Sequence, residues 1–177
     1  MQDGYIDILK EKCRLIIESL KNAKRNQIIV WTDIDIIINR RSALNLSSSI
    51  YSLLHSSEKS LLYQKEAYDK NNKDINGGFF ASIADDFSIS LYERVYDMIC
   101  NDPSKHDQDC INQLIASDEE VERRIGTFPL TYASRSNQGS YHGHPKRCVL
   151  YHANCTMTLQ TKIQMLNRVY AQMYNRL

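Results

Sequence analysis

Ile28-Ile29-Val30-Trp31-Thr32-Asp33-Ile34-Asp35-Ile36-Ile37-Ile38 is the stretch on which the fold turns. Its β-branched content favours a strand. A strand needs partners, however, and no other segment offers a clear one; alone it would leave its backbone N–H and C=O groups unpaired. The stretch is therefore read as a buried helix. The expectation for the whole chain becomes all-α.

Working outward, residues 4–25 place Tyr5, Leu9, Cys13, Ile16, Ile17 and Leu20 at three-to-four spacing behind Asp3 as N-cap. A second helical stretch covers about 43–70, with a break at His55-Ser56-Ser57, and Asn71–Gly78 reads as a loop. Phe80, Ile83, Ala84, Phe87, Leu91, Val95, Met98 and Ile99 then mark a periodic helix that stops before Asn101-Asp102-Pro103. Short helices follow over 104–116 and from Ser117 to Gly126, the latter opened by a Ser117/Glu120 capping box. After a loop over 127–144, a final helix from Pro145 carries Thr156, Leu159, Ile163, Leu166, Tyr170, Met173 and Leu177 on one seam. At about 50 Å that helix is long for a chain of 20.6 kDa. Part of its seam is expected to pack against a second copy. The expected architecture is six to seven helices in two lobes, 1–100 and 101–177, assembling into a homo-oligomer.

Composition narrows the class. Of 177 residues, 42% are apolar and 24% charged, as in a folded soluble protein. Only 6 Gly and 3 Pro argue against a turn-rich β-sandwich. No 18-residue apolar run or signal-peptide core is present. Five cysteines without framework spacing read as thiols in a reducing compartment.

The net charge of +1 conceals a strong polarity. The last acidic residue is Glu122, and beyond it stand Arg123, Arg124, Arg135, Lys146, Arg147, Lys162, Arg168 and Arg176. An acid-free tail of this length arises by chance about once in a thousand chains. Tyr132, Tyr141, Tyr151, Tyr170 and Tyr174 are interleaved with the charges. The pattern points to an anionic partner held by those eight basic residues. Lys24-Arg25 and Arg40-Arg41 each follow an apolar segment, where helix-end charges are ordinary.

Two constellations could carry chemistry. His142, His144, Cys148, His152 and Cys155 crowd fourteen residues and invite zinc. On a helix, though, Cys148 and Cys155 would stand about 10.5 Å apart along the axis, too far to share one ion. Asp33-Ile34-Asp35 behind Ile28–Trp31 is how polymerase-β-type nucleotidyltransferases present metal-binding acids, since alternate strand residues share a face. That chemistry also needs an upstream Gly-Ser turn and a third carboxylate on a later strand, and neither is evident. Gly77-Gly78 lacks the Lys-Ser/Thr of a phosphate loop. His142-Gly-His144 is a weak match to the metal pair of replication-initiation nucleases. Cys13, Cys100 and Cys110 sit on apolar faces that disfavour a thiolate. No catalysis, metal or cofactor is expected.

The size, the helical pattern, and the stretches Ile28–Arg41 and Arg123–Cys155 resemble the small RNA-silencing suppressors of closteroviruses. The resemblance implies an all-α, ring-forming, non-enzymatic protein of the host-cell cytoplasm. It would sequester small RNA, including short duplexes, through basic residues recognising duplex shape and phosphates. A zinc-stabilised interaction module and a Mg²⁺-dependent nucleotidyltransferase acting through Asp33 and Asp35 are the alternatives.

Overall fold

The computed structural model describes residues 2–137, 140–142, 147–154 and 158–174. In chain order it runs α1 (Gln2–Asn22), β1 (Ile28–Thr32), β2 (Ile36–Ile38), α2 (Arg40–Ala43), α3 (Leu46–Ser57), β3 (Leu61–Lys65) and β4 (Ile75–Ile83). There follow α4 (Asp86–Asn101), α5 (Asp107–Ser117), α6 (Glu119–Arg124) and β5 (Ile125–Thr127). After a 3-10 turn at Leu130–Tyr132 come β6 (Ser134–Asn137), β7 (Ser140–His142), β8 (Leu150–His152) and α7 (Leu159–Tyr174).

The protein is mixed α/β, which corrects the all-α expectation. The decisive stretch is two strands, β1 and β2, flanking a turn at Ile34-Asp35. Its partners exist after all, in two sheets ordered β1-β4-β3-β5 and β2-β8-β6-β7. Strand β4 hides in the sequence because every residue from Ile75 to Ser82 is buried, leaving no polar alternation to read. Phe80 and Ile83 also happen to continue the period of the following helix, which begins only at Asp86, with the Asp85 carboxylate accepting from Ser88 N. Residues 61–65, assigned to a helix by pattern, form β3. Helix α6 is capped by Asp118, whose carboxylate accepts from Glu120 N and Val121 N, one residue beyond the expected Ser117.

The long C-terminal helix is corrected too. Leu150–His152 is a strand, antiparallel to β2 with Ile36 opposite His152, Ile37 opposite Tyr151 and Ile38 opposite Leu150. Helix α7 begins only at Leu159. Leu150 and Tyr151 therefore belong to a sheet and not to that helix.

Two compact units arise from interleaved segments. The first comprises Met1–Trp31, Leu54–Tyr63 and Phe80–Gly126. In it α1 packs on α4, burying Leu9, Cys13, Ile16 and Leu20 together with Leu91, Val95 and Ile99. Phe80 lies 5.4 Å from Tyr92 and 5.2 Å from Tyr63 between ring centroids. The two tyrosine hydroxyls meet at 2.9 Å in the interior.

The second unit comprises Thr32–Leu53, Gln64–Phe79 and Thr127–Leu177. Its sheet is the β2-β8-β6-β7 set, with β6 parallel to β8 and antiparallel to β7. Helix α7 packs Leu166, Val169 and Met173 against Tyr151 and Ala153. Tyr174 donates from its hydroxyl to the Ile38 carbonyl. Among the described residues, no helix is long and apolar enough to cross a membrane.

Candidate functional site

The turn between β1 and β2 is tied down by backbone bonds. Asp33 N donates to Gly78 O at 2.8 Å, and Ala153 N donates to Asp35 O at 3.0 Å. The second bond belongs to the β2–β8 register, so the register that pairs Ile36 with His152 also carries His152 beside Asp35. Asp33, Asp35 and His152 each bring one ligand atom to within 4.8 Å of the others; Asp35 and His152 are buried and Asp33 is half-buried. Ile34 between the acids points fully into solvent.

The hydrogen bonds around His152 fix which nitrogen faces the acids. The Tyr132 carbonyl can only accept, so the Gln64 amide nitrogen must face it, and does so at 2.7 Å. Gln64 Oε1 is thereby turned to His152 Nδ1 at 2.9 Å, and that nitrogen carries the proton. In the neutral ring, Nε2 is left with a lone pair directed at Asp35 Oδ1, 3.3 Å away. Two lone pairs face one another there unless a proton or a metal cation lies between them. Two carboxylates and an imidazole oriented by a second hydrogen bond form a donor set suited to Mg²⁺ or Mn²⁺.

Gly78 completes the cradle. A Cβ at this position would lie 2.3 Å from His152 Cε1 and 3.0 Å from Nδ1. The neighbouring Asn76 accepts from Gly78 N at 3.0 Å and donates to Glu66 at 2.7 Å. Lys162 of α7 reaches the other Asp35 oxygen at 2.6 Å. Burial raises the Asp35 carboxyl, but in the absence of a metal ion a protonated His152, donating from Nε2, and Lys162 outweigh burial and hold it down from its ordinary 3.8 to about 2.

The eight basic residues singled out in the sequence are distributed over both units. Arg123 and Arg124 end α6 in the first unit, beside a cavity of about 510 Å³. Arg124 bonds Asp85 and Ser60 Oγ and stacks on Phe87 at 4.2 Å, so its guanidinium has internal work. Arg135 stands in β6, opposite His152 by register. Arg147 and Arg168 are exposed, and Lys162 joins the cluster just described. Lys146 and Arg176 lie outside the described residues, as do His144 and Cys155 of the five residues weighed as zinc ligands. His152 uses its ring nitrogens toward Gln64 and Asp35, not toward a thiolate.

Asp33 and Asp35 are legible in the sequence, where a third carboxylate is the expected companion. The third donor is instead an imidazole supplied by β8.

Comparison with known proteins places these observations. Residues 1–166 match the family model described as nucleotide-diphospho-sugar transferase. An uncharacterized protein of Arabidopsis thaliana is 25% identical over 171 residues, covering 96% of this chain and 48% of that protein. The chain thus spans about half the length of the curated relative it matches. Among solved structures, a glycosyltransferase involved in glycosylation of the major capsid of PBCV-1 superposes with a TM-score of 0.61 at 13% identity. The match covers 90% of this chain and 76% of that one. These matches overturn the resemblance to silencing suppressors, which rested on size and charge pattern with no shared motif. The non-enzymatic, RNA-sequestering role expected from it falls as well.

Proposed function

The chain belongs to the nucleotide-diphospho-sugar transferase family, and on that premise we propose that it is a metal-dependent glycosyltransferase acting on a nucleoside diphosphate sugar. The observation that carries the reading is the convergence of Asp33, Asp35 and the tautomer-fixed His152 on one point. Charge supports it. The unit holding the cluster has eleven Lys or Arg against five Asp or Glu, a net of +6 that favours an anionic substrate.

In the reaction, the bond between the anomeric carbon and the diphosphate oxygen breaks with its electron pair leaving on the diphosphate. An acceptor hydroxyl forms the new bond to that carbon and gives up its proton to the departing diphosphate or to water. Asp33, Asp35 and His152 would hold the divalent cation, which supplies charge neutralisation to the departing diphosphate. Gln64 keeps His152 Nε2 available as a donor to that cation. Lys162 holds one oxygen of Asp35 so that the other faces His152.

The test is release of nucleoside diphosphate from a panel of nucleotide sugars, with and without Mn²⁺. Turnover of one donor is expected, lost on chelation and reduced at least 100-fold in Asp35→Asn. Cation-independent turnover, or full activity in Asp35→Asn, contradicts the reading.

A further inference from the structure

Asp35 divides its two oxygens between two neighbours. Oδ1 faces His152 Nε2 at 3.3 Å, while Oδ2 takes Lys162 Nζ at 2.6 Å. The lysine is not a loose surface partner. It stands in the first turn of α7, whose Leu166, Val169 and Met173 pack onto Tyr151 and Ala153, the residues on either side of His152. Tyr174, at the far end of the same helix, is bonded to Ile38 of β2. Docking of α7 on β2 and β8 therefore sets the lysine against Asp35.

We infer that Lys162 is a positioning residue that makes Asp35 a one-oxygen ligand and offsets one of the two carboxylate charges, so that a divalent cation is held strongly only together with an anionic diphosphate. This rests on reading Asp33, Asp35 and His152 as the cation site. Two carboxylates alone would neutralise a divalent ion completely. With Lys162 in place and the His152 ring neutral, as a metal ligand must be, the cluster carries one net negative charge without the ion and one net positive charge with it. That surplus is what a diphosphate supplies the complement to. An ammonium this close to a partly buried site opposes an incoming cation by more than surface charges do, because screening there is weak. The consequence is an enzyme that retains little free metal and gathers cation and substrate as one unit.

The experiment is titration of the full chain with Mn²⁺ alone, with free Mn²⁺ counted by electron paramagnetic resonance. Lys162→Met is expected to bind Mn²⁺ at least about tenfold tighter than the unaltered protein. Lys162→Arg, which keeps the charge, is expected to stay within about threefold of it. Lys162→Gln is the second neutral variant, read in place of Lys162→Met if circular dichroism shows that the latter does not fold. Unchanged or weaker Mn²⁺ binding in the neutral variant overturns the inference while leaving the cation site standing. Absence of Mn²⁺ binding by the unaltered and neutral variants alike overturns the inference and the cation site together.

Discussion

Gly78→Ala offers a sharp test of how the site is built. The backbone at Gly78 does not occupy the left-handed region, so no conformational reason demands glycine there. The reason is the His152 ring. An alanine Cβ would stand 2.3 Å from Cε1, against an ordinary carbon contact of about 3.5–4.0 Å. Either the ring or the β4 backbone must move by more than about 1 Å. His152 is buried and its Nδ1–Gln64 bond is 2.9 Å long, so a shift of that size breaks the bond. Overpacking costs about 1–3 kcal/mol and the orphaned buried polar groups about 1 more. The melting temperature should fall by about 5–15 °C. Mn²⁺ affinity should fall about 10–100-fold, as it does when the outer partner of a ligating histidine is lost. The assays are a thermal melt and a Mn²⁺ titration, with His152→Ala and the double variant completing a cycle. In the His152→Ala background the extra methyl should cost little, because the ring it strikes is gone. The reasoning is refuted if Gly78→Ala keeps its melting temperature and Mn²⁺ affinity, or if its cost is the same with and without the ring.

Three further outcomes follow from the geometry. The lowered Asp35 carboxyl stabilises the fold above pH 3.8 by about 2 kcal/mol, and that contribution is lost as pH falls through about 2; the stability gap between the unaltered protein and Asp35→Asn in urea melts should narrow by about that amount between pH 5 and pH 2. In the first unit, Tyr63→Phe leaves the fully buried Tyr92 hydroxyl without its 2.9 Å partner and should cost about 1–2 kcal/mol; the Tyr63→Phe/Tyr92→Phe pair should cost less than the two single changes summed, and strict additivity in the denaturant midpoints would argue against the bond. Arg124→Ala removes a largely covered ion pair with Asp85 and the Phe87 stack and should lower stability by about 1–2 kcal/mol, whereas exposed Arg123→Ala should stay within about 0.5 kcal/mol.

What the sequence disclosed depended on whether a segment's partner was local. Helices α1, α4 and α5 stand where apolar residues repeat at three to four, because a half-buried helix writes its own period. Strand β4 wrote none, being buried on both faces, and its Phe80 and Ile83 were absorbed into the period of α4. Without β4 in view, the β-branched run at Ile28 has no legible partner, and the all-α expectation follows from that one missing strand. The candidate site behaved likewise. Asp33-Ile34-Asp35 is contiguous and legible, but its third donor arrives from over a hundred residues downstream through the Ile36–His152 register. His152 drew notice only as a neighbour of Cys148 and Cys155. Gln64 and Gly78 carried no signal, since a buried glutamine and a loop-like glycine acquire meaning only from the ring between them. Of the basic residues in the acid-free tail from which an anionic partner is expected, the structure sets Lys162 against Asp35.

The most direct test of the central claim is a thermal-shift measurement with Mn²⁺ and a series of nucleoside diphosphates, alone and combined, on the unaltered protein and Asp35→Asn. Ligand binding to the folded state raises the melting temperature by mass action. The account predicts a rise that needs both the cation and one of the diphosphates, and that disappears in Asp35→Asn. No rise with any combination, or an equal rise in Asp35→Asn, would contradict it.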